Sequence, residues 1–152
     1  MRSRLQAAGD APYVAIVWRA GEPKTGLLET LYKEAPQEVI AKALGDAPGT
    51  LISVQRAPRA GETEALAEKL GRAVHDFSGI NGNLEEALAL MSLADGYVGV
   101  SNTNVHLRAG TGGAAHVLVP PPFEWRWMAS GTSPWFPVFQ VERLRAARQL
   151  QL

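Results

Sequence analysis

The chain of 152 residues has no cysteine. That excludes disulfides, thiolate metal sites and cysteine nucleophiles, and fits a reducing compartment only weakly. Neither sign of charge is in excess. Fifteen Lys and Arg balance fifteen Asp and Glu, so no basic field recruits nucleic acid and no polybasic segment favours a membrane surface. No apolar run approaches the roughly 18 residues of a spanning helix, and Met1 to Asp10 lacks the apolar core of a signal peptide. The expected location is the cytoplasm, with no membrane span and no nucleic-acid partner. Chemical motifs are missing too. There is no Gly-x-Gly-x-x-Gly after the first apolar run, no Walker lysine and no Gly-x-Ser-x-Gly elbow, which argues against a standard NAD domain, a P-loop and an elbow hydrolase. Nothing resembles His-Glu-x-x-His or an Asp-rich calcium loop, so no metal ligand is expected.

What is present is an ordinary globular composition, 46% apolar and 20% charged, of a length suited to one domain with a sizeable core. The most informative stretch runs from Tyr97 to Gly110. Its first half is a short β-rich apolar run behind Asp95-Gly96. Its second half turns to small polar residues and then to Val105 and Ala109, four apart. This reads as strand, tight turn, helix, with Asn102 or Thr103 as the cap. Two readings follow: a well-capped turn and nothing more, or a helix N-terminus whose unpaired amides hold a phosphate at the carboxyl end of the strand.

The rest of the chain repeats the pattern. Residues 1 to 11 read as a polar lead-in, and Tyr13 to Trp18 as a first strand buried on both faces. Arg19 to Gly26 is a loop placed where open α/β sheets carry ligand contacts. A helix is expected near 35 to 44, with Pro36 in its first turn, Val39, Ile40, Ala43 and Leu44 on one stripe, and Gly45 as its stop. Thr50 to Val54 and Glu62 to Ala73 make a second strand and helix. Val74 to Phe77 is a brief third strand, followed by a helix opened by the capping box Asn83 and Glu86. Ala114 to Val119 is a fifth strand stopped by Pro120-Pro121-Pro122, and Val138 to Val141 is a candidate last strand. Such alternation predicts a three-layer, doubly wound, mostly parallel α/β sheet over residues 12 to 142, with its ligand at the carboxyl ends of the strands. Residues 143 to 152 read as a charged tail, with Leu144, Ala147 and Leu150 loosely at helical spacing.

Three of the four tryptophans, Trp125, Trp127 and Trp135, fall beyond the prolines. They read either as a lid over the sheet edge or helix ends, or as a wall on which Trp125 or Trp127 stacks a sugar or base. His75 and His116 read as satisfied core or edge residues. His106 differs, lying in the first turns of the proposed phosphate-facing helix.

The segments Val100 to Gly110, Val117-Leu118-Val119-Pro120, Glu124-Trp125-Arg126-Trp127 and Ser133-Pro134-Trp135-Phe136-Pro137 resemble the donor-binding C-terminal domain of bacterial GT-B glycosyltransferases. The group most similar is the tetratricopeptide-associated one related to heptosyltransferases and O-linked N-acetylglucosamine transferases. Val17 to Gly21, Leu31 to Pro36, Ser53 to Arg56 and Val74 to Phe77 are similar as well and stand in the family's order. The resemblance implies a Rossmann-like fold and a nucleotide-sugar site. The family motif Asp-Thr-(Ala/Gly)-x-x-His-Leu falls on Ser101 to Leu107, so the turn amides with Ser101, Asn102, Thr103 and Asn104 would hold the diphosphate, His106 close behind. Lys33 matches a lysine supporting the donor phosphate. Arg19, Gln55, Arg56, Asp76 and Trp125 fall to the nucleotide or sugar pocket. Helix-end amides and a lysine can stabilise a diphosphate leaving group without a metal or other cofactor.

Two departures stand out. Ser101 replaces the family's usual acidic residue, and Arg108 replaces a small one, so that it either adds a phosphate contact or fills the pocket. GT-B enzymes carry acceptor contacts and the usual base on a second, N-terminal domain, and this length suits one domain. No catalytic residue is assigned. The expected function is donor binding for glycosyl transfer with a missing N-terminal domain or a tetratricopeptide partner. The alternative is a catalytically inactive interaction module.

Overall fold

The structure, a computed structural model, describes residues 1–21 and 32–145. Six strands form one sheet: β1 (Tyr13–Val17), β4 (Thr50–Ser53), β5 (Val74–Asp76), β6 (Gly96–Gly99), β7 (His116–Val119) and β8 (Gln140–Arg143). Their spatial order is β5-β4-β1-β6-β7-β8, and every adjacent pair is parallel. Counted along this sheet alone the order is 3-2-1-4-5-6, the doubly wound Rossmann-like arrangement in which the winding reverses between β1 and β6. A separate two-stranded antiparallel ribbon, β2 (Arg19–Ala20) with β3 (Lys33–Glu34), stands just beyond β1.

Both faces of the central strands are covered, which is why they read as unbroken apolar runs: Ala15, Ile16, Val17, Ile52 and Val100 are wholly buried. Helices α2 (Gln37–Leu44) and α3 (Glu62–Leu70) pack on each other, and α4 (Leu84–Leu93) packs on α5 (Thr103–Gly110), so the three layers of an α/β domain are complete. Ile40, Leu66, Leu90 and Val105 are the inward side chains of these four helices. Where β6 meets β1, a Cβ on Gly99 would lie 2.0 Å from the Val17 carbonyl oxygen. Only glycine lets the two central strands close there.

The structure differs from the sequence reading in the lead-in and in the last strand. The lead-in holds a short helix, α1 (Arg2–Ala8), because Leu5 enters the core and Met1 packs against it. The last strand begins two residues later than expected, at Gln140, in register with His116 of β7. Of the tail, Leu144 packs against the core, while the part of the expected helix carrying Ala147 and Leu150 lies outside the described residues, as do residues 22 to 26 of the first loop.

The segment after β7 packs as a lid on the sheet edge. Trp127 is fully buried, its ring stacked on Phe136 at 5.1 Å and on Phe139 at 6.4 Å. Arg143 of β8 ties this segment down, donating to the carbonyls of Trp127, Met128 and Gly131. Among the described residues no helix is long and apolar enough to cross a membrane.

Candidate functional site

Chain leaving β1 runs to one face of the sheet and chain leaving β6 to the other, so a crevice opens between their carboxyl ends. It holds about 450 Å³ and is lined from four loops: Arg19 to Gly21, Gln55 to Ala57, Asn81 with the start of α4, and Ser101 to Asn104, with Lys33 at its rim.

Two of the expected residues are engaged in building the crevice itself. The buried Gln55 amide accepts from the N–H groups of Trp18 and Arg19 and donates to the carbonyls of Arg19 and Arg56. It stitches the end of β1 to the end of β4. Arg19 is buried against Glu62, with two bonds of 2.6 and 3.2 Å, and also donates to the Ala57 carbonyl. Its charge is neutralised in place. Arg56, by contrast, is exposed at the crevice, and its guanidinium makes no ion pair or hydrogen bond within the described residues.

The far wall is the N-terminus of α5. Asn102 is its cap: Oδ1 accepts from the Val105 N–H at 3.2 Å, and the buried Tyr97 hydroxyl lies 3.1 Å from the same oxygen. The N–H groups of Asn102, Thr103 and Asn104 take no partner among the described residues and carry the positive end of the helix dipole. Ser101 is 3% exposed, and its Oγ is buried with no hydrogen-bond partner among the described residues. The buried Asn104 amide donates to Asn81 Oδ1 at 3.0 Å, and Asn81 in turn donates to the Val54 and Ser78 carbonyls. Thr103 is exposed at the mouth.

Lys33 arrives from the ribbon. Its Nζ donates to the Ser101 carbonyl at 3.3 Å and pairs with Glu124. Arg126 binds the other oxygen of the same carboxylate at 2.7 Å. Burial alone would raise the Glu124 carboxyl, but Lys33 and Arg126 together hold it below its usual range. His106 lies one helical turn beyond Asn102, with its ring 5.4 Å from that of Phe136. Burial first, then the charges of Arg126 and Lys33, push the imidazole below its ordinary value against the pull of Glu124. It is therefore neutral near pH 7.

Four expected residues stand outside the crevice. His106 faces the aromatic segment. Arg108 neither contacts the anion site nor fills the pocket: its guanidinium is buried at the other end of α5, donating to the carbonyls of Met91, Ala94, Asp95 and Ala114. It closes the C-terminus of α4 rather than the crevice. Asp76 caps the turn after β5, accepting from the Ser78 N–H at 2.7 Å. Trp125 is 63% exposed, edge-on to Trp135 at 4.8 Å, with the Arg126 guanidinium 5.3 Å from its ring centre.

Sequence reasoning missed Asn81, Leu84 and Ala87 on the crevice wall and Glu124 behind it. The first three were findable, because the Asn83 cap puts a helix start at a strand's carboxyl end, although the expected box is only half formed: Glu86 pairs with Arg4, and the Asn83 N–H donates to the Ile80 carbonyl. The Lys33–Glu124 pair left no local signal. Among the described residues, no cluster of His, Asp and Glu is placed to hold a metal. No family model, curated protein or solved structure matches this chain.

Proposed function

We propose that this domain binds the nucleoside diphosphate of a nucleotide sugar in the crevice, as the donor half of a GT-B-type glycosyltransferase that needs a second domain or partner for transfer. The observation that carries the reading is the N-terminus of α5. Three amides and the buried Ser101 hydroxyl, all without a partner among the described residues, border the crevice, with Arg56 and Lys33 at the rim. Backbone amides, a helix dipole and two cations are what a diphosphate requires, and they oppose the charge that develops as a diphosphate leaves a sugar carbon. The apolar side of Leu84 and Ala87 offers a flat neighbour for a base. The resemblance to GT-B donor domains supplies the sugar-transfer part of the proposal.

Calorimetric titration with UDP, ADP, GDP and their sugar conjugates tests it. One nucleotide binds saturably, and Arg56→Ala and Thr103→Ala each weaken it by about tenfold, the usual loss for a bond to a charged group. Silence from folded protein with every nucleotide refutes the reading. A second reading, an interaction module, is favoured by one observation: Phe123, Trp125, Met128, Trp135 and Val138 are all exposed on the segment after β7. Under that reading nucleotides are silent, and Trp125→Ala with Trp135→Ala abolishes partner capture.

A further inference from the structure

Glu124 is held by two cations, one on each oxygen: Lys33 on Oε1 and Arg126 on Oε2. The two cations are not equivalent. Lys33 lines both the crevice and the small pocket behind it, where Glu124 and Trp127 sit. Its Nζ already touches the Ser101 carbonyl, one residue before the α5 cap. Arg126 lines neither space and lies over the Trp125 ring.

We propose that Lys33 is an exchangeable cation, resting on Glu124 and moving to the phosphate of a ligand at the α5 N-terminus while Arg126 stays behind as the counter-ion of Glu124. This rests on the reading of the crevice as a nucleoside diphosphate site. Relative cost decides which cation leaves. Removing one partner of a buried ion pair is costly because the other charge is left unpaired. Glu124 is largely buried, with 15% of its side chain exposed, so a carboxylate served by Lys33 alone would hold that lysine back. With Arg126 on the second oxygen, the carboxylate remains paired after Lys33 departs. A lysine suits the travelling role and an arginine the fixed one: the ammonium is a point charge on a flexible stem, whereas the planar guanidinium is preorganised for a carboxylate and stacks on an aromatic ring. Glu124 and Arg126 are thus positioning residues. They touch no ligand, and they set how readily Lys33 reaches one.

The test uses the whole chain, titrated calorimetrically with UDP, ADP and GDP, as wild type, Glu124→Gln, Arg126→Gln and the double variant. The ammonium nitrogen of Lys33 is followed by NMR in labelled protein. Exchange predicts opposite signs. Glu124→Gln binds about tenfold tighter, because Lys33 no longer leaves a charge, and Arg126→Gln binds about tenfold weaker, because its departure strands one. The double variant recovers at least wild-type affinity, which a purely structural role for Arg126 would not produce. The Lys33 signal shifts on saturation. Wild-type binding with Arg126→Gln unaffected, Glu124→Gln weakened or the Lys33 signal unmoved overturns the exchange and leaves the crevice reading standing. No binding of any of the three by folded wild type overturns both.

Discussion

Arg108→Met separates a structural arginine from a ligand-binding one. Four main-chain carbonyls converge on the buried guanidinium: Met91 at 2.8 Å, Ala94 at 2.6 Å, Ala114 at 3.0 Å and Asp95 at 3.1 Å. Those of Met91, Ala94 and Asp95 close α4, where the helix itself leaves acceptors unpaired. Methionine replaces the aliphatic stem but none of the donors. Each bond to a charged group contributes about 1.5–3 kcal/mol, much of it offset by desolvation of the guanidinium, so a net loss of about 3–5 kcal/mol is expected. For a domain of this size that lowers Tm by about 6–20 °C, at about 2–4 °C per kcal/mol. Chemical denaturation followed by tryptophan fluorescence reads the loss directly. Gly113 supplies a control, since a Cβ there would lie 2.1 Å from Arg108 Cζ. Gly113→Ala should destabilise alone and much less in the Arg108→Met background. Full stability of Arg108→Met would refute the closing role of the guanidinium at α4, and loss of nucleotide binding in protein that remains folded would put it at the crevice instead.

Three other outcomes are expected. Gly99→Ala forces β1 and β6 apart at the Val17 carbonyl and costs more than about 2 kcal/mol, measured by urea denaturation; a neutral substitution refutes the close approach. Trp127→Ala, in the core, costs about 3–5 kcal/mol, whereas Trp125→Ala and Trp135→Ala, at exposed positions, stay within about 0.5 kcal/mol; equal losses would refute the placement of the lid. The folded His106 imidazole titrates below its unfolded value, so the unfolded chain binds more protons between the two. Stability is therefore full above the ordinary imidazole value and falls as pH drops through it toward the folded value. A Tm series from about pH 7 to about pH 5 should be flatter in His106→Gln than in wild type, and identical slopes would contradict the shift.

The features legible in the sequence are those decided within a few residues of chain. Short β-rich runs, apolar throughout in β1 and largely so in β4, β6 and β7, marked these strands because a strand covered on both faces has little polar side to show. Asn83 and Asn102 announced α4 and α5 because a cap is an interaction with amides two or three residues on. The alternation of period then left few topologies, and the crevice follows from the doubly wound order. Helix α1 was hidden because one apolar residue, Leu5, makes no periodicity. The roles within the crevice were hidden for a different reason. Arg19, Lys33, Arg56 and Arg108 are all cations near a turn or helix end, and nothing local distinguishes them. What separates them is the company brought by distant chain: Glu62 for Arg19, Glu124 for Lys33, the carbonyls around Met91 and Ala114 for Arg108, and no partner within the described residues for Arg56. Sequence alone thus determined the layers, the caps and the end of the sheet at which a ligand would meet the chain, since these rest on periodicity and neighbouring amides. Only the tertiary structure decided which charges are spent on the protein itself, because a charge is neutralised by whatever the fold sets beside it.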